Sequence, residues 1–191
     1  FHLSTHDPVH QITIIPRGNA GGMTVYLPED DHSYRSRNEM FEQLVSLLGG
    51  RVAEKLMLDD VSTGASNDIQ RATDIARKMV AVYGMSDKLG TVCFDSGNDE
   101  VFIGRTMSHG RSYSEAVAAQ IDEEVKSIIS TAYDRCETLL TERRAHLDAV
   151  AEYLLENETM SGKQFVQCMK GETIEGGSAT AMFDDFTETE E

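Results

Sequence analysis

Apolar positions along this chain follow two rhythms. Near the start, Gln11–Ile15 and Met23–Leu27 are short stretches rich in β-forming residues, joined by the turn-rich PRGNAGG. They predict a strand pair, with Pro16 and Pro28 limiting how far either strand extends. From about Arg37 to Leu58 the rhythm changes. Phe41, Leu44, Val45, Leu48, Val52 and Leu56 recur at three- and four-residue steps, which predicts a helix. Gly49 and Gly50 sit inside it at roughly 1 kcal/mol each against alanine, so close approach by another element or a kink is expected there. A second helix is predicted over about Ser66–Tyr83, with Ile69, Ala72, Ile75, Ala76, Met79 and Val80 on its apolar face and Gly84 ending it. Residues 91–103 look like a small hairpin, TVCF and VFIG around DSGNDE. From Ser114 the stripe Val117, Ile121, Val125, Ile128, Ala132, Cys136 and Leu139 is the most regular in the chain and predicts a long core helix. A helix over about Glu142–Glu156 follows. A short last helix starts at Ser161, where Ser161 and Gln164 have capping-box spacing. The fold expected is mainly α, with small β-hairpin elements near the N-terminus and no internal repeat.

Composition narrows the function classes. The chain has 191 residues, 40% hydrophobic and 26% charged, enough for one domain with a core plus a tail. No apolar run approaches the roughly 20 residues of a membrane span. The net charge of −16 repels phosphate backbones and argues against a nucleic-acid partner. Residues 171–191 carry Glu172, Glu175, Asp184, Asp185, Glu188, Glu190 and Glu191 without a Lys or Arg, and read as an acidic disordered tail beyond a domain at 1–170. Cys93, Cys136 and Cys168 are odd in number and lack CxxC spacing, as expected of free thiols in a reducing compartment. The chain opens on Phe1 with no signal segment, and the expectation is a fragment of a longer protein.

Two places suggest metal chemistry. HLSTH sets His2 and His6 four apart, a spacing by which a helix can offer two imidazoles to one zinc. Leu3 stands where a water-activating carboxylate would be needed, however, and Pro8 works against a helix, so loop histidines are the better reading. STGASNDI, residues 62–69, ends a small-residue loop where a helix begins. Ser66 suits a helix cap there, and Asp68 suits the positive end of the helix dipole. Asp68 is equally a zinc-ligand type held at a loop–helix junction.

Taken together, DPVHQITIIPRG (7–18), GMTVYLPE (22–29), GGRVAEKL (49–56), STGASNDIQRAT (62–73), ARKMVAVYGMSDKLG (76–90) and VFIGR (101–105) resemble, in order, the peptidase domain of the FtsH family, membrane-anchored ATP-dependent zinc metalloproteases. The resemblance covers about residues 5–170 and implies a helical metallopeptidase domain. It implies that Asp68 is the third zinc ligand, beside two His of an HExGH helix whose Glu is the general base. That motif does not occur in the 191 residues. In the family it lies just upstream of the DPVH block, so the two His and the Glu are expected before Phe1, and the chain as it stands is expected to be inactive. The resemblance further implies a role near the zinc for Glu54, orienting a ligand imidazole. It implies that Gly22, Met23, Thr24 and Val25 form an edge strand that takes unfolded protein substrates by main-chain pairing. Zinc and ATP are the expected cofactors, with ATP bound by a separate module because this chain has no P-loop. A homo-hexamer, held on the cytoplasmic side of a bacterial membrane or on an organelle inner membrane through an N-terminal anchor outside this chain, completes the expectation. The alternative is a non-catalytic relative that keeps the fold for assembly.

Overall fold

The computed structural model describes residues 1–16, 18, 21–28, 34–94 and 113–174. In chain order the elements are β1 (Val9–Thr13), β2 (Met23–Tyr26), α1 (Arg37–Leu58), α2 (Ser66–Ala81), α3 (Glu115–Glu142), α4 (Arg144–Asn157), β3 (Thr159–Ser161) and α5 (Gly162–Met169). The expected mainly helical class, with small β elements near the N-terminus, is what the chain adopts. The expected hairpin at 91–103 and the acidic tail fall largely outside the described residues. The chain divides into two compact units, one of described residues within 1–33 and 140–191, the other spanning Tyr34–Leu139.

In the first unit β1 pairs antiparallel with both β2 and β3, giving the order β2-β1-β3. Thr13 faces Met23 on one side and Thr159 on the other, and Ile12 faces Thr24 and Met160. β1 begins and ends two residues earlier than its apolar run suggests. The amide of Ile14 donates to the Glu158 carbonyl (2.9 Å) and that of Ile15 to Thr13 Oγ1 (3.2 Å), so neither continues the ladder with β2. β3 was not expected at all. Three residues, TMS, carry no strand signal of their own, and β3 exists because β1 offers it a partner from the far end of the chain. Met160 is fully buried and packs with Ala149, Tyr153, Leu154 and Cys168. At the head of α5 the chain passes close to β1. A Cβ on Gly162 would sit 2.2 Å from the Val9 carbonyl oxygen, so only glycine fits there.

In the second unit Ser36 and Glu39 close a full capping box at the head of α1, with the Glu39 amide donating to Ser36 Oγ (3.2 Å) and the Ser36 amide donating back to the Glu39 carboxylate. The core comes from Leu44, Val45, Leu48 and Val52 of α1, Ala72, Ala76, Met79 and Val80 of α2, and Ile121, Val125, Ala132 and Cys136 of α3. Each fully buried large side chain of this kind contributes roughly 1.5–3 kcal/mol. Gly49 and Gly50 do not meet the expectation placed on them. α1 runs through both as unbroken helix, and a Cβ at either would have nothing within 4 Å. After α2, Gly84 takes φ +59°, and a Cβ there would stand 3.0 Å from the Thr91 Cα. Ser86, 4% exposed, then accepts from the Lys88 and Leu89 amides and donates to Glu124 (2.8 Å), pinning this turn to α3.

No disulfide links the three cysteines. Burial pushes the Cys136 thiol up to about 11 and raises that of Cys168, which works against thiolate chemistry at either.

Candidate metal centre

Asp68 stands in the first turn of α2, and its side chain is 45% exposed. Its carboxylate lies 3.8 Å from the Arg71 guanidinium one turn on. An exposed pair of this kind contributes about 1 kcal/mol or less, so it does not commit the carboxylate.

The start of α2 differs from the expectation for Ser66. Ala65 occupies the N-cap position with φ −81° and ψ 8°, and no side chain caps the helix. A capping side chain needs an oxygen on an extended N-cap residue; Ala65 has neither, and Ser66 is already helical. Local backbone bonds close the entry instead. The Ser66 amide donates to the Thr63 carbonyl (3.1 Å) and the Ile69 amide to that of Ala65 (3.0 Å).

The loop before Asp68 is held from α1. Glu54 accepts from the Ser62 amide (3.3 Å) and from the Ser62 hydroxyl, and Ser62 Oγ accepts in turn from the Gly64 amide (3.1 Å). Arg51, one turn before Glu54, lies 3.5 Å from the same carboxylate. These side chains are mostly covered, Glu54 at 23% exposure and Arg51 at 19%. The hydroxyl and amide of Ser62, with Arg51 behind them, hold the Glu54 carboxyl below the usual carboxylate range. Gly64 leaves room for this arrangement, since a Cβ there would stand 3.2 Å from Ser62 Oγ.

The other candidates lie in the first unit. Met23, Thr24 and Val25 belong to β2, with Gly22 just before it. β2 is an edge of the sheet, paired with β1 on one side only among the described residues. Gly22 passes so close to β1 that a Cβ would come within 2.8 Å of the Thr13 carbonyl. His2 and His6 precede β1 outside any helix, so the four-residue spacing does not aim them at one point. The ring of His2 stacks on His146 at 5.7 Å, and that of His6 meets Tyr26 edge-on at 4.8 Å.

A zinc ion needs three or four donors. Among the described residues no group of three His, Cys, Asp or Glu is placed to hold one. Asp68 fits as a single carboxylate donor on a supported junction, and the described residues do not complete a site around it. Sequence reasoning missed Ser62, Arg51 and Arg71. The two arginines were signalled by their three-residue spacing from Glu54 and Asp68. Ser62 carried no signal beyond membership of a small-residue loop. No helix of the described residues is long and apolar enough to cross a membrane.

Residues 1–168 match the profile of peptidase family M41, and the chain belongs to that family. It is 56% identical over 174 residues, covering 91% of this chain and 28% of the relative, to ATP-dependent zinc metalloprotease FtsH 1 of Thermoanaerobacter sp. (strain X514). It is 55% identical over 159 residues to ATP-dependent zinc metalloprotease FtsH of Caldicellulosiruptor bescii, covering 83% and 26% of the two chains. Against the protein of that name from Bacillus subtilis (strain 168) it is 46% identical over 163 residues, covering 85% and 26%. The chain thus spans about a quarter of the length of these relatives.

Proposed function

We propose that this chain is the proteolytic portion of an ATP-dependent zinc metallopeptidase that degrades unfolded or membrane proteins. The observation that carries the proposal is the family match over residues 1–168, with Asp68 half exposed on a braced junction inside it. Asp68 supplies one carboxylate oxygen to the metal, and the remaining donors and the general base come from outside the described residues. Zinc, when bound, supplies Lewis-acid polarisation of a scissile carbonyl and a nucleophilic water at neutral pH. Glu54 acts from behind the ligand set, with lone pairs remaining for a ligand imidazole beside those that Ser62 occupies. The run Gly22–Val25 offers an extended substrate the open side of β2, where main-chain bonds bind without demanding a particular sequence. ATP binding by another part of the protein, a hexamer of such chains and attachment to the cytoplasmic face of a membrane belong to the same proposal.

The test is made in the full-length protein. Asp68→Ala is expected to lose bound zinc and ATP-dependent degradation of casein together. Unchanged zinc occupancy with unchanged degradation would overturn the ligand assignment. The 191-residue chain alone is expected to cleave nothing, because the HExGH motif does not occur in its sequence.

A further inference from the structure

We infer that Ser62 is a positioning residue of the metal centre, coupling Glu54 of α1 to the loop that delivers Asp68. The inference rests on the proposal that Asp68 is a zinc ligand, and it deepens that proposal. Three observations carry it. First, the Ser62 hydroxyl is used twice, donating to Glu54 and accepting from the Gly64 amide, while the Ser62 amide donates to the other Glu54 oxygen. Ser62 thus ties its own backbone and hydroxyl to α1, and its hydroxyl in turn holds the Gly64 amide. Second, α2 has no side-chain cap, so nothing of its own sequence holds its entry beyond the backbone bonds of Ser66 and Ile69. The junction takes its position from α1. Third, α1 can serve as an anchor, since Leu48 and Val52, on the turns leading to Glu54, are buried at 3% and 0% exposure. Arg51 lies 3.5 Å from Glu54 Oε2, the oxygen that also accepts from the Ser62 amide.

A ligand carboxylate tolerates little displacement, because zinc–oxygen bonding is confined to about 2.0–2.2 Å. Freeing residues 62–64 lets the first turn of α2 shift or fray, and Asp68 moves with it. The coupling is specific to a small hydroxyl at position 62. Alanine removes both the donor and the acceptor, threonine keeps both, and a carboxylate there would face Glu54 with like charge.

The experiment measures chelator-driven zinc release from the zinc-loaded full-length protein, alongside hydrogen exchange of the loop amides in the metal-free 191-residue chain. Ser62→Ala and Glu54→Ala are each expected to speed zinc release about ten-fold or more, the range typical of partners that orient a ligand. The double variant is expected to be no faster than the quicker single one, since both act through one contact. Ser62→Thr is expected to release zinc at close to the wild-type rate. In the metal-free chain the Ser62 and Gly64 amides should exchange faster in Ser62→Ala, with the amides of α3 unchanged. Asp68→Asn separates the two levels of inference. If Asp68→Asn strips zinc while Ser62→Ala and Glu54→Ala hold it as tightly as wild type, the coupling is wrong and the ligand assignment stands. If Asp68→Asn leaves zinc in place, the ligand assignment fails, and faster exchange at residues 62–64 would then mark a purely structural brace. Equal loss of zinc from Ser62→Ala and Ser62→Thr would also overturn the role given to the hydroxyl.

Discussion

The helices α1 and α2 begin in opposite ways. α1 begins with Ser36 and Glu39 satisfying each other's backbone groups, and α5 repeats the device with Ser161 and Gln164. α2, which carries Asp68, begins on Ala65 with no side-chain cap, and Ser62 of the loop before it is held by the Glu54 carboxylate of α1. The self-capped starts are local. Four consecutive residues specify them, and they would form wherever the helix formed. The start of α2 is closed by local backbone bonds, and the loop that leads into it is tied to α1 through Ser62. Departures from local rules are expected to concentrate where function constrains the chain. α4 likewise starts without a side-chain cap, so what sets α2 apart is the tie from its preceding loop to Glu54.

The largest effect expected on this contrast comes from Asp68→Ala in the full-length protein. Loss of zinc should exceed the roughly 10–100-fold weakening typical of supporting residues, with the fold kept, as read by metal analysis and circular dichroism. Next is a break in the first unit that leaves the metal junction alone. Gly162→Ala forces a Cβ against the Val9 carbonyl and should cost about 1–3 kcal/mol, seen as a lower urea midpoint for the 191-residue chain. A third pair of changes compares the helix starts directly. Ser36→Ala should cost about 1 kcal/mol, whereas Ser66→Ala, which removes no capping bond, should stay within about 0.5 kcal/mol. Equal losses would erase the distinction. The smallest effect has the opposite sign. Gly50→Ala lies mid-helix in open space and should stabilise the isolated chain by about 0.5–1 kcal/mol.

The contrast also sets a pH dependence. Glu54 is held below the ordinary carboxylate range when folded, so the stability it gains from Ser62 is present above the unfolded carboxylate value. That stability is lost as pH falls through the lower, folded value. Ser62→Ala should therefore narrow the gap in stability between neutral and acid pH, as followed by urea titration across that range. An unchanged acid-side slope would show that the Glu54–Ser62 contact contributes nothing measurable.

The same distinction between local and tertiary control explains what was legible in the sequence. The span of α1 and the capping box at Ser161 were readable because periodicity and cap spacing are written within a few residues. β3 was not, since it is a strand only by virtue of pairing with β1, more than a hundred residues earlier. The shift of β1 toward its N-terminal side had the same origin, with Glu158 claiming the Ile14 amide. Ser66 was read as a cap because composition announces a helix start without giving the backbone angles of the residue before it. Gly49 and Gly50 were read as a close approach because their helix cost suggests compensation, and the open space around them shows none among the described residues. At the candidate site, Asp68 and Glu54 were legible through the family resemblance, while the hydroxyl that links Glu54 to the loop needed three-dimensional structure.

The central claim is tested most directly by the zinc content of the purified full-length protein and of its Asp68→Asn variant, measured after dialysis against a weak chelator. Zinc retained by the wild type and lost by the variant, with both folded, is the result expected. Zinc retained equally by both would contradict the assignment of Asp68. A wild type that never holds zinc would point to a non-catalytic member of the family.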